Sequence, residues 1–173
     1  MSVNIKRRLD YKKPAFTITH VCMHVCLHPT QTQVKCTTSV TRIGDHDAPL
    51  SLDGEQLSLV GVRINGEPYQ DYEKTEGGLV LNNVPDTFEL EIETHIDPEN
   101  NHALEGLYLS NGVYCTQCEA EGFRRITYFL DRPDVLATYE VTVLGDKASC
   151  PTLLSNGNPV DAGENEDGTH WVS

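Results

Sequence analysis

Phe88, Leu90 and Ile92 alternate with Glu89, Glu91 and Glu93. A side-chain period of two sends the three apolar groups to one face and the three carboxylates to the other, as an extended strand does. A helical period would scatter both sets, so this segment predicts a half-buried strand with an acidic outer face. The same period recurs elsewhere. Phe16–Leu27 reads FTITHVCMHVCL, rich in Thr, Val and Ile with no breaker, and suits a long strand. Leu57–Ile64 alternates and meets Asn65-Gly66, a strong hairpin signal, with Glu67-Pro68-Tyr69 returning. Gly77-Gly78 marks a turn ahead of Leu79-Val80-Leu81. Asn82-Asn83, Pro85-Asp86 and Pro98–Asn101 break the chain again. Thr138–Leu144 and Leu153–Leu154 are further strand candidates. Helical signal is scarce: Glu119–Phe123 could form a short helix and Pro133–Leu136 a single turn with Pro at its start. Many short strands spaced by turns predict an all-β sandwich.

A chain of 173 residues suits one domain. Its net charge of −13 argues against nucleic acid or an anionic membrane as partner. The exception is a basic head, where Lys6, Arg7, Arg8, Lys12 and Lys13 stand against Asp10 alone; such a segment reads as a solvated terminus. No apolar stretch follows that head and no run approaches membrane-spanning length. A cytoplasmic protein is therefore expected, its six cysteines reduced. The closing run His170-Trp171-Val172-Ser173 looks like a strand stopped in mid-pattern, which suggests a piece of a longer protein.

Three constellations invite a chemical reading. Cys22, His24, Cys26 and His28 stand at alternate positions, and His20, His24 and His28 are spaced by four. On a strand, alternate residues sit about 6.5 Å apart and Cys22 and Cys26 about 13 Å apart, too far for zinc bonds of about 2.0–2.3 Å. A chance run of polarisable side chains on one face is the better reading. Cys115-Thr116-Gln117-Cys118 is a lone CxxC with no βαβ pattern around it and no second pair to complete four ligands; buried thiols fit it better than redox or zinc chemistry. The third is Ala103–Val135, ALEGLYLSNGVYCTQCEAEGFRRITYFLDRPDV, where Glu105, Gln117, Glu119, Glu121 and several arginines interleave with aromatics. Taken by itself it could be a binding loop or a charged surface.

Ala103–Tyr108 together with Cys115–Val135 resembles the N-terminal domain of the bacterial aminopeptidase N family of gluzincin-class zinc exopeptidases. Looser likeness extends through Ala48–Leu50, Asp53–Glu55 and Ile64–Pro68 to Leu153–Asn158, and residues 1–45 match weakly. The resemblance implies an elongated, saddle-like β-sandwich spanning 1–173 as a single N-terminal β-domain, with the catalytic zinc domain downstream. It also implies that Gln117 and Glu119 reach into that domain's active site and bind the free α-amino group of a peptide substrate. The family's HExxH helix, G-x-M-E-N loop and distant glutamate ligand are not in this sequence. Zn2+ would therefore be bound outside this chain, which would hold no metal and no catalytic residue of its own. Its partners would be peptides with a free N-terminus and the enzyme's own catalytic domain. Glu121 is expected at a surface or domain boundary, and Arg124, Arg125, Asp131 and Arg132 in structural ion pairs. The rival reading is a stand-alone β-sandwich binding module without catalysis; a thiol redox or zinc-ribbon protein is a third.

Overall fold

The computed structural model describes residues 8–173; Lys6 and Arg7 of the basic head lie outside the described residues, while Arg8, Lys12 and Lys13 are exposed. Thirteen strands follow one another: β1 Phe16–Cys26, β2 Thr32–Arg42, β3 Leu50–Asp53, β4 Ser58–Ile64, β5 Glu67–Pro68, β6 Tyr72–Thr75, β7 Gly78–Leu81, β8 Thr87–Ile96, β9 Gly106–Ser110, β10 Val113–Gln117, β11 Thr138–Asp146, β12 Ala162–Glu164 and β13 Thr169–Val172. Short 3-10 turns at Arg8–Asp10 and Phe123–Arg125 complete the regular structure. The protein is all-β.

Eight strands form one mixed sheet in the order β12-β13-β11-β1-β2-β8-β4-β5, and β3-β7-β6 and β10-β9 make two smaller sheets. Among the described residues of the large sheet only β1 and β11 run parallel. Register builds the core. Met23 faces Cys36, Cys36 faces Ile92 and Ile92 faces Val62, so four strands contribute one inward row. Val21, Thr38, Leu90 and Ile64 make the next. A bulge between Ile18 and His20 shifts the phase of β1 by one residue, which is why Phe16, Ile18, Val21, Met23 and Val25 all point inward. Leu50, Leu52, Leu79 and Leu81 of the three-stranded sheet pack onto those rows within one continuous core. The result is two β-layers around a single hydrophobic interior.

The local signals held where chemistry was explicit. At the Asn65-Gly66 turn φ is +51° and +82°, the left-handed pair that lets two strands reverse with matching twist. The alternating acidic face of β8 is exposed or half-exposed, and Glu91 there pairs with Lys35 at 2.7 Å. Elsewhere the expectations need correction. Glu119–Phe123 is not a helix: it is a turn that passes into the 3-10 turn Phe123–Arg125. Leu153–Leu154 is not a strand but part of an open loop, with Leu154 85% exposed. Strand β2 carries little apolar signal because two of its inward positions are threonines. Thr32 Oγ1 donates to the His28 carbonyl at 2.7 Å and Thr38 Oγ1 to the Leu90 carbonyl at 3.4 Å, so both hydroxyls are buried with partners.

The Cys/His face of β1 is turned outward. His20 and His24 are exposed, Cys22 and Cys26 half-buried, and His28 lies beyond the strand in the turn to β2. Cys22 Sγ lies 3.8 Å from His24 Nε2. Among the described residues no group of three or more His, Cys, Asp or Glu side chains gathers as a metal site. All six cysteines are free thiols.

Candidate functional site

The chain that carries Gln117 and Glu119 is positioned by what precedes and follows it. Strands β9 and β10 form a hairpin whose turn, Asn111-Gly112, adopts φ of +50° and +80°. Gln117 is the last paired residue, opposite Gly106. Beyond it the backbone folds back, with the Gly122 N–H donating to the Cys118 carbonyl at 2.8 Å, and the Glu119–Ala120 peptide within this turn is cis. The stretch after the 3-10 turn, Ile126 to Leu130, is buried at every position. Asp53 and Phe129 exchange backbone hydrogen bonds of 2.8 and 3.0 Å, tying this run to the end of β3. Glu119 thus sits at the tip of a turn anchored on both sides.

The tip overlooks a cavity of about 980 Å³. Its floor is the inner face of the large sheet near β11, where Val141 and Val143 lie beside Met23 and Val25. The three-stranded sheet covers other parts of that face, and here β11 remains half-exposed. Phe123 lines one wall, edge-on to Phe129 at 4.8 Å and to Tyr139 at 6.1 Å. Gln117, Cys118 and Glu119 also line the cavity. An apolar hollow with a few convergent polar groups is the usual form of a small-ligand site.

Polar geometry separates the candidate residues sharply. Gln117 Nε2 donates to the Glu119 carbonyl at 3.0 Å, which leaves its Oε1 available as an acceptor. Gln117 and Glu119 are both exposed, and the Glu119 carboxylate has no ion pair among the described residues. Every nearby arginine is engaged elsewhere. Arg124 Nε meets Asp131 Oδ2 at 2.9 Å, and its Nη1 lies 3.8 Å from Asp53 and 3.6 Å from Glu121. Arg125 meets Glu55 at 2.7 Å, Glu105 at 3.1 Å and Gln56 Oε1 at 2.7 Å. Arg132 pairs with Asp134 at 2.8 Å, which holds the Asp134 carboxyl down at about 2. Glu121 does not share the side of Glu119: it lines a separate cavity of about 370 Å³ with Asp53, Arg124 and Asp131. Glu105 belongs to the arginine network as well.

The CxxC thiols are not equivalent. Cys118 lines the large cavity and burial raises its thiol above the ordinary range. Cys115 lies within β10, half-buried.

The comparison with known proteins is decisive at the level of family. Residues 12–173 match the Peptidase M1 N-terminal domain. The chain belongs to that family. Aminopeptidase N of Escherichia coli (strain K12) is 50% identical over 167 residues, covering 96% of this chain and 19% of the relative. The M1 domain described here therefore spans about a fifth of that relative's length. Among solved structures, Legionella pneumophila aminopeptidase A in complex with aspartic acid superposes with a TM-score of 0.89 at 33% identity, over 96% of this chain and 20% of that one. An M1 zinc metallopeptidase of Deinococcus radiodurans bound to a Tyr-Ser-Ala substrate shares the fold, with a TM-score of 0.74 at 18% identity over 91% of this chain and 38% of that one.

Two contributions to this M1 domain's cavity had no local signal. Phe123 and the loop carrying Leu153 reach the cavity through packing between segments distant in sequence. Gly122 carries no side chain to attract notice; its importance is one of space.

Proposed function

We propose that this chain is the N-terminal β-domain of a zinc-dependent aminopeptidase, and that Glu119 with Gln117 anchors the substrate's free α-amino group. One observation carries the reading: at the rim of an apolar cavity, an exposed carboxylate stands without an ion pair among the described residues while three neighbouring arginines are all engaged. A carboxylate held apart from internal cations keeps its full field for an incoming ammonium. Glu119 would pair with that ammonium, and Gln117 Oε1 would accept one of its remaining hydrogens. Charge-assisted hydrogen bonds of this kind contribute about 1.5–3 kcal/mol each. A peptide with a blocked N-terminus would leave the carboxylate desolvated and unpaired, which gives selectivity for free ends. The anchor also fixes the distance from the first nitrogen to the reacting carbonyl, a contribution to orientation.

The zinc that this family's enzymes use does not fit the described residues: no set of three donors converges here, and Cys22 with His24 supplies two on an outward face. Metal, general base and catalytic residues would belong to the enzyme's own catalytic domain, the natural partner of this one. The strongly acidic composition makes nucleic acid or an anionic membrane an unsuitable partner. No helix among the described residues is long and apolar enough to cross a membrane, and free thiols throughout are in keeping with a cytoplasmic setting.

The test is kinetic and uses the full-length enzyme. Glu119→Gln removes the charge and keeps the shape, so kcat/KM for an aminoacyl arylamide should fall about 10- to 100-fold, as expected for one lost charge-assisted contact. Zinc content should stay at the wild-type level. Unaltered kinetics would remove Glu119 from the role.

A further inference from the structure

Resting on the amino-anchor reading above, we infer that Gly122 is a positioning residue, present because a side chain there would push the anchor off its post. Gly122 has φ −87° and ψ −16°, a right-handed conformation open to any residue, so backbone freedom does not explain the glycine. Space does. A Cβ on Gly122 would lie 2.3 Å from the Gln117 carbonyl oxygen, 3.0 Å from Cys118 Cα and 3.1 Å from the Gly106 nitrogen. All three are backbone atoms of the hairpin end and the turn that lead to Glu119, and none can swing aside as a side chain would.

Gly106, the strand partner of Gln117, meets the same cluster from the other side. A Cβ there would lie 2.7 Å from Arg125 Cβ and 3.1 Å from the Gly122 carbonyl oxygen. Three backbone segments, at Gly106, Gln117–Cys118 and Gly122, therefore stack at a separation that excludes a Cβ at Gly122, while Gly106, with φ of +70°, is favoured as glycine by its backbone as well. Arg125 fastens the stack. Its N–H donates to the Gly122 carbonyl at 3.1 Å, and its guanidinium reaches Glu55, Gln56 and Glu105. That side chain is 15% exposed. The buried run that follows prevents the turn from relaxing outward. A methyl group on Gly122 must displace the Gln117–Cys118 backbone it would abut, the segment that leads to Glu119 and carries the substrate contacts.

The experiment isolates the amino contact in the full-length zinc enzyme. Inhibition constants are measured for leucine hydroxamate and for its des-amino counterpart, 4-methylpentanohydroxamic acid, and the ratio of the des-amino constant to the leucine hydroxamate constant reports the contact with the α-amino group. Glu119→Gln is the reference variant and should lower the ratio about 10-fold or more. Gly122→Ala should lower it about 10-fold and Arg125→Lys about 3-fold, each with zinc content and des-amino affinity at wild-type values. If Glu119→Gln collapses the ratio while folded Gly122→Ala keeps it, the positioning role is refuted and the anchor stands. If Glu119→Gln itself keeps the ratio, the anchor reading fails and takes the positioning role with it. Should Gly122→Ala not fold, Arg125→Lys decides: a lowered ratio at an unchanged melting temperature supports the inference, and a wild-type ratio overturns it.

Discussion

Arg124 Nε donates to Asp131 Oδ2 across 2.9 Å, with the two side chains only 14% and 11% exposed. Asp131 Oδ2 also accepts the Arg124 backbone N–H at 3.2 Å, and Arg124 Nη2 donates to the Asp131 carbonyl at 3.1 Å. These four groups close the loop from Arg124 to Asp131 around the buried run Ile126 to Leu130. Removing Asp131 leaves the Arg124 guanidinium only its longer contacts to Asp53 and Glu121 and takes the acceptor from the Arg124 backbone N–H, which costs more than the pair itself contributes. Asp131→Ala should lower the domain's stability by about 3 kcal/mol, measured as a shift in the urea midpoint. A stability loss below about 0.5 kcal/mol from that midpoint and the m-value would mean that the pair is ornamental.

Asp53 sits beside this pair, and its carboxyl is raised above the ordinary 3.8, chiefly by burial and in spite of Arg124. A carboxyl raised on folding binds its proton more tightly in the native state. Its favourable contribution is therefore complete below the ordinary value and is lost as pH climbs through the raised one. Asp53→Asn keeps an acceptor for the Asp131 N–H, now 3.2 Å from Asp53 Oδ2, and abolishes the titration. Stability profiles from about pH 4 to 7 should then show a smaller decline for the variant than for the wild type. Superimposable profiles would show that Asp53 titrates alike in both states.

Cys36 is 2% exposed, and burial pushes its thiol up to about 12. The nucleophile is the thiolate, so a thiol reagent at neutral pH should leave Cys36 unmodified in the native protein. Cys22, Cys26, Cys115, Cys118 and Cys150 are only half-buried and should react first. Mass spectrometry over a denaturant series provides the readout, with Cys36 labelling rising in step with unfolding. Early labelling of Cys36 would contradict the burial.

Cys22 and His24 lie on one outward face with 3.8 Å between Sγ and Nε2, and burial raises the Cys22 thiol. Two donors, one of them reluctant to ionise, make a poor zinc site. Calorimetric titration of the chain with zinc should reveal no stoichiometric binding. One tight zinc per chain, abolished by Cys22→Ala and His24→Ala, would reinstate the outer face as a metal site.

Sequence alone determined the elements whose chemistry is local. Period-two alternation placed β4 and β8, a breaker-free Thr-, Val- and Ile-rich run placed β1, Thr138–Leu144 stood as the candidate for β11, and Asn65-Gly66 located a hairpin through its need for positive φ. The T-Q-C-E stretch marked Gln117 and Glu119 by resemblance, and the match of residues 12–173 to the M1 N-terminal domain bears out the family. Strand β2 stayed illegible because its inward threonines are polar by type and become core residues only when carbonyls such as those of His28 and Leu90 accept their hydroxyls. Glu119 and Glu121 looked alike, two residues apart in one acidic run. Tertiary structure parted them, since the turn held by the Gly122–Cys118 hydrogen bond sends one to the large cavity and the other into the Arg124 network. Contacts between segments far apart in sequence decide such matters, and a single residue's type carries no record of which distant backbone will lie against it.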